Sequence, residues 1–202
     1  MRQWLIITLV SVLTLTGILG ACAPSEVTTP PEEVLPEITL ADAPAILDLS
    51  SELSGDFVYD TSQKMPTYTK LGLGPWSEWH IWQREGPFQC VSVTMTILSS
   101  EAERNDCDET LQNSGGIRSI FIESYQDDEN WDLVSIDVRP TDVGDEAVLI
   151  SMEKTTQGYL FQGRNLYFRC QDVVVLLHTL HSIEAPPIIE LARIIEQRIP
   201  NY

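Results

Sequence analysis

The strongest constraint on the fold is a series of strand-like segments near the C-terminus. Residues 147–153, 160–170 and 173–180 are rich in β-branched, aliphatic and aromatic side chains, and only Gln171-Asp172 separates the last two segments. A two-residue connection joins adjacent antiparallel strands. A segment with helical spacing of its apolar residues follows, at Ile188, Leu191, Ala192, Ile195 and Ile199. This region therefore predicts an antiparallel sheet covered by a C-terminal helix.

The preceding residues extend this architecture. A capping residue and an early proline predict an N-terminal helix over 43–53, and 78–84 with 88–98 predict a hairpin. A Ser/Glu capping box predicts a helix over 100–113, which Gly115-Gly116 should end. Residues 134–138 alternate as in a strand. The order α-ββ-α-ββββ-α predicts a single α+β domain, with a mainly antiparallel sheet of about six strands and helices packed against it, including N-terminal and C-terminal helices.

The N-terminal segment carries a targeting signal. Arg2 precedes an uncharged apolar run of 16 residues from Trp4 to Leu19, which is shorter than the ~20 residues that span a bilayer. A basic start and a short apolar run before small residues are typical of a secretory signal peptide. Leu19-Gly20-Ala21-Cys22 resembles the lipobox of bacterial lipoproteins. The resemblance implies cleavage before Cys22 and acylation of that cysteine, palmitate included; an uncleaved anchor is the alternative.

Residues 22–42 separate the predicted signal peptide from the globular part. The segment alternates prolines with glutamates and contains no basic residue, so it cannot bury a core and favours an extended chain. The sequence thus predicts a lipoprotein signal peptide at 1–21, an acylated cysteine with a Pro/Glu-rich tether at 22–42, and a globular domain at 43–202. Acyl chains on Cys22 make the lipid bilayer a partner and predict an extracytoplasmic location, on the cell membrane or on the outer membrane of a cell with two membranes.

The acidic composition excludes one class of partner. The chain has 12 basic and 30 acidic residues, which gives a net charge of −18. Such a surface cannot replace the counterions around phosphate groups, so nucleic acid is not expected as a partner.

Three cysteines remain in the globular part, Cys90, Cys107 and Cys170, in a compartment that permits disulfides. Cys90 begins one predicted strand and Cys170 ends another, so antiparallel strands would bring both to the same end of the sheet. We therefore expect a disulfide between Cys90 and Cys170. A bond between Cys107 and Cys170, or no bond, are the alternatives.

Three tryptophans, Trp76, Trp79 and Trp82, lie within seven residues of each other. Tryptophan combines a large apolar area with a hydrogen-bond donor and is common at contact surfaces. The three side chains are therefore candidates for partner contact, and aromatic cover over the edge of the core is the alternative.

No motif for catalysis or metal binding is recognisable. His178 and His181 have a ligand spacing for a helix, but in a strand they point to opposite faces. Residues 128–132 mimic the first half of a calcium loop, yet Leu133 and Arg139 occupy positions that need Gly and Glu. The sequence predicts no catalytic residue, no metal site and no cofactor, and it does not indicate an enzyme.

Residues 143–199 carry a Gly-Asp-Glu-Ala turn, an aromatic strand, a valine-rich strand and the terminal amphipathic helix. This region resembles extracytoplasmic sensor-like domains and small lipoproteins of Gram-positive envelopes, which implies binding or sensing. We expect a membrane-anchored bacterial cell-envelope lipoprotein that binds an unknown protein or small-molecule ligand. The alternatives are a small envelope hydrolase with a dispersed active site and a purely structural envelope protein.

Overall fold

The computed structural model describes residues 38–53, 55–60, 71–73, 76, 78–84, 89–126, 128–182 and 186–199. The predicted signal peptide, Cys22 and most of the tether lie outside these residues. Among the helices that are described, none has the length and apolar character needed to cross a membrane.

The described strands form one antiparallel sheet. They are β1 Val58–Tyr59, β2 Glu78–Arg84, β3 Gln89–Ile97, β4 Asp132–Pro140, β5 Glu146–Thr156, β6 Tyr159–Cys170 and β7 Val173–His181. Their order across the sheet is β1-β2-β3-β7-β6-β5-β4, and all neighbours are antiparallel. The predicted α+β class and antiparallel sheet are confirmed, with seven strands instead of about six because the two-residue β1 pairs with β2 at one edge.

Helices cover both faces of the sheet. They are α1 Ala43–Leu47, α2 Glu101–Gln112, α3 Ser114–Gln126 and α4 Ile188–Arg198. On the first face, α1 and α4 pack on side chains that include Val93 and Val175. On the second face, α2 and α3 pack on side chains that include Ile150 and Val174. The sheet therefore has two apolar cores, one under each helix pair.

The C-terminal helix agrees with its predicted packing. Its predicted inward residues are all nearly or fully buried in the first-face core: Ile188, Leu191, Ala192, Ile195 and Ile199. Helix α1 is shorter than predicted and ends at Leu47, because the following Asp48 has an extended backbone. The Asp42 carboxylate accepts hydrogen bonds from Thr39 instead of capping the helix. Leu49 and Leu53 nevertheless pack against the same core.

A second helix follows α2, where two glycines were expected to end the helical segment. The Asn113 side chain accepts a hydrogen bond from the Gly116 amide at 2.9 Å, and the Asn113 carbonyl accepts one from Ile117 at 2.9 Å. Asn113 therefore ends α2 and caps α3. A Cβ on Gly116 would lie 2.5 Å from the side-chain nitrogen of Asn113, so a larger residue here would displace the capping side chain.

Strand β4 is bent by an irregularity in its pairing with β5 between Leu133 and Ser135. Val134 lies in this irregularity and is 58% exposed, although alternation alone would place it with Ile136 and Val138. Those two side chains pack on the second-face core. Asp137, between them, and Ser135, before them, consequently point to the first face of the sheet.

Candidate functional site

The first face of the sheet changes from apolar to polar along its strands. Around Leu166, Leu177 and Val93, which are neighbours across β6, β7 and β3, the face is fully buried and apolar. Further along the same strands, the register places two rows of polar side chains beside each other. One row consists of Asp137, Ser151, Arg164 and Thr179, and the other of Ser135, Glu153, Gln162 and His181. Each row crosses β4, β5, β6 and β7 in that order.

The side chains from β4, β5 and β6 in these rows line a groove of about 310 Å³. We call it the polar groove and define it by Ser135, Asp137, Ser151, Glu153, Gln162 and Arg164. Its size is at the lower end of the range for small-molecule sites. The alternation of β5 and β6 produces this lining, because every second side chain points to the first face.

The charges in the polar groove are held apart. Glu153 accepts a hydrogen bond from the Ser135 hydroxyl at 3.1 Å. The Arg164 guanidinium has no hydrogen bond and no ion pair within the described part of the chain, and neither does the exposed Asp137 carboxylate. Hydrogen bonds between a guanidinium and a carboxylate are among the strong ones in proteins, and Arg164 makes none of them to the two carboxylates of the groove. All of the Arg164 donors are therefore unused by the residues that the structure describes.

Beside the groove, β7 places two buried polar side chains on the same face. Thr179 and His181 are both 0% exposed, and the Thr179 hydroxyl and both His181 ring nitrogens have no hydrogen-bond partner among the residues that the structure describes. Burial lowers the pKa of His181, and the positive charge of Arg164 lowers it further. His181 is therefore neutral at pH 7, and the groove is bordered by polar groups whose hydrogen-bonding capacity is unused.

The predicted tryptophan cluster does not form one surface. Trp76 is buried in the second-face core and Trp82 in the first-face core, where its indole nitrogen donates to the Ser50 hydroxyl at 3.2 Å. Trp79 is partly exposed. Two of the three side chains thus act as aromatic cover over the core, and only Trp79 is placed to contact a partner.

The three cysteines of the globular part are free thiols. Strands β3 and β6 are both antiparallel to β7 and hence parallel to each other, so Cys90 and Cys170 lie at opposite ends of the sheet. They pair with Leu180 and Val173 of β7, which implies a separation of about 24 Å along the strand direction. A disulfide requires Cα atoms within about 7 Å, so the predicted bond is absent from the structure. The alternative bond is absent too, because Cys107 belongs to the second-face core and Cys170 to the first-face core.

The two closely spaced histidines lie on opposite faces of β7, as the strand interpretation predicts. His178 is hydrogen bonded to the Asn165 side chain at 2.7 Å, whereas His181 borders the polar groove.

The polar groove was not identified from the sequence, although part of its signal is visible there. Ser151 and Glu153 are two residues apart in β5, and Gln162 and Arg164 are two residues apart in β6, so the members of each pair point to the same face of their strand. The sequence does not show that the two pairs lie beside each other on one face of the sheet. This follows only from the register of the two strands, which pairs Ser151 with Arg164 and Glu153 with Gln162.

Comparison with known proteins finds similar solved structures but no protein family. A scan against models of protein families finds no match, and a search of curated proteins also finds none. The crystal structure of LpqN, a protein involved in cell envelope biogenesis of Mycobacterium tuberculosis, is similar to this chain with a TM-score of 0.39 and 12% sequence identity. The similarity covers 72% of this chain and 78% of the LpqN chain.

Proposed function

We propose that this chain is a cell-envelope lipoprotein, anchored through acyl chains on Cys22, whose folded domain binds a small polar molecule in the polar groove. The observation that carries the binding function is the unpaired guanidinium of Arg164 in a groove of about 310 Å³. A charged side chain that is partly withdrawn from water normally gains a partner of opposite charge. A bound molecule would supply that partner.

The arrangement favours binding over the alternative of a dispersed hydrolase. A serine hydrolase needs a serine within hydrogen-bond distance of a histidine that acts as its base. The groove contains Ser135 and Ser151, but neither of them, nor any other residue in the described part of the chain, is hydrogen bonded to a ring nitrogen of the adjacent His181. The nucleophile and base required for acyl transfer are thus not assembled at this site.

The test of binding is a ligand-dependent stabilisation that requires Arg164. Thermal unfolding of the full chain in detergent micelles is measured with a panel of amino acids, dipeptides, sugar acids and polyols, because a molecule that binds only the folded state raises the melting temperature. Arg164→Gln should abolish the rise. Arg118→Gln is the matched control, since Arg118 is exposed on α3, away from the groove. If no compound raises the melting temperature, or if Arg164→Gln leaves the rise unchanged, the groove is not a binding site.

The anchoring part of the proposal rests on the lipobox-like Leu19-Gly20-Ala21-Cys22 and has its own test. Metabolic labelling with a palmitate analogue should label the wild-type chain, and Cys22→Ser should abolish the label and block cleavage of the signal peptide. Equal mass and equal membrane retention of the two proteins would contradict lipid anchoring.

A further inference from the structure

The polar groove holds charges of both signs at positions that do not neutralise each other. Arg164 lies on β6, whereas Asp137 lies in the same row on β4, two strands away. Adjacent strands are ~4.8 Å apart, so the backbones at these two residues are about 10 Å apart. Glu153 lies on β5, between them and one row further along. The groove is therefore cationic at one side and anionic at the other.

The charge of the whole chain restricts the net charge of the ligand. The net charge of −18 produces a field that repels a simple anion, and the groove itself carries two carboxylates and one guanidinium. A simple cation would satisfy the carboxylates but would leave Arg164 without a partner. A single molecule with both charges can satisfy all three groups.

The spacing of the strands that carry the charges, and the volume of the groove, restrict the size of the ligand. A chain of two residues spans at most about 7 Å, and the backbones at Arg164 and Asp137 are about 10 Å apart, so a molecule of this length can reach from the side chain on β6 toward those on β5 and β4, which rise from the same face of the sheet. A longer peptide would have to leave the groove, and a volume of about 310 Å³ is sufficient for only one or two residues.

We infer that the ligand is a small zwitterion, an amino acid or a dipeptide, whose carboxylate pairs with Arg164 and whose ammonium group pairs with Glu153 and Asp137. This inference rests on the proposed binding function of the polar groove. Pairing of the ligand carboxylate with the guanidinium fork forms charge-assisted hydrogen bonds, which are the strong class in proteins.

The experiment uses alanyl-alanine as the probe and measures its affinity for the full chain by calorimetry in detergent micelles. Two analogues each lack one charge: alanyl-alanine amide has no carboxylate, and N-acetyl-alanyl-alanine has no ammonium group. Each analogue should bind about tenfold more weakly than alanyl-alanine, or worse, because each loses a charge-assisted hydrogen bond.

Variants then assign each end of the probe to its partner. Arg164→Gln should bind alanyl-alanine and its amide equally, because the carboxylate has lost its partner. Glu153→Gln should reduce the difference between alanyl-alanine and its N-acetyl form. Arg118→Gln and Glu123→Gln, both on α3 and exposed, should retain the full discrimination.

The outcomes separate this inference from the proposed function. If an analogue binds as tightly as alanyl-alanine, or if only a sugar acid or a polyol stabilises the chain in an Arg164-dependent manner, the zwitterion is excluded and the groove remains a binding site. If no compound in either experiment binds in an Arg164-dependent manner, both the inference and the proposed function are wrong.

Discussion

Arg169 on β6 donates two hydrogen bonds to Asp108 on α2, from Nε to Oδ1 at 2.6 Å and from Nη2 to Oδ2 at 3.0 Å. The same guanidinium donates to Asp145 at 2.9 Å and to the Gln171 carbonyl at 2.7 Å. One side chain therefore joins α2 to the turn before β5 and to the turn between β6 and β7. This network fixes the edge of the second-face core.

Arg169→Gln should lower the free energy of unfolding by about 2 to 3 kcal/mol, because it removes several hydrogen bonds to charged partners at a partly buried site. Arg104→Gln is the matched control, since Arg104 also pairs with an aspartate, Asp172 at 3.1 Å, but both side chains are substantially exposed. Exposed pairs contribute at most about 1 kcal/mol. Urea denaturation measures both variants, and equal losses would show that the Arg169 network contributes no more than a surface pair.

The terminal helix provides a second test of packing. Ile195→Ala removes a side chain that is 0% exposed beneath α4, and substitutions of this kind in a core cost about 2 to 5 kcal/mol. Gln197→Ala on the exposed side of the same helix should change stability by less than about 0.5 kcal/mol. Thermal unfolding followed by circular dichroism measures the difference. A small loss for Ile195→Ala would mean that α4 adds little to the first-face core.

The elements that were predicted correctly are those whose structure depends on residues close together in the sequence. The inward side of α4 follows from helical spacing, and the tight turn at Gln171-Asp172 from its length. Gln171 has the positive φ of 55° that such a turn requires. Helix α3 was missed because Gly115-Gly116 normally ends a helix, and only the Asn113 cap shows that one begins there.

Features that depend on pairing between distant strands could not be read from the sequence. The predicted bond between Cys90 and Cys170 assumed antiparallel β3 and β6, but β7 lies between these strands and makes them parallel. The polar groove combines Asp137, Glu153 and Arg164, which come from three strands. A shift of one residue in any register would send its side chain to the other face, so periodicity alone does not specify the site.

The thiols of the globular part should be unreactive in the folded protein and fully reactive after unfolding. Burial raises the pKa of Cys90 and of Cys107 to about 11 and also raises that of Cys170. The thiolate is the reactive form, so alkylation by iodoacetamide at neutral pH should be slow. Unfolding without a reductant should then allow alkylation of all three, which peptide mass spectrometry resolves individually. Protection of any pair until a reductant is added would demonstrate a disulfide.

His181 should make the stability of the fold depend on pH near neutrality. Its pKa is below the ordinary value of 6.5 in the folded state, so the unfolded chain binds more protons between the two values. The free energy of unfolding therefore has its full value above about pH 6.5 and falls as the pH decreases toward the folded pKa, by at most about 1.4 kcal/mol per pH unit for one proton.

The variant that isolates this effect is His181→Gln, which retains a polar side chain but does not titrate. Arg164 is the charged neighbour that lowers the pKa, and the in-register partners Gln89 and Gln162 carry no charge. Urea denaturation between about pH 5 and pH 7.5 should show a smaller slope for His181→Gln than for the wild type. The same slope in both proteins would mean that His181 binds its proton equally well in the folded and unfolded states. Its burial beside the polar groove would then have no effect on its pKa.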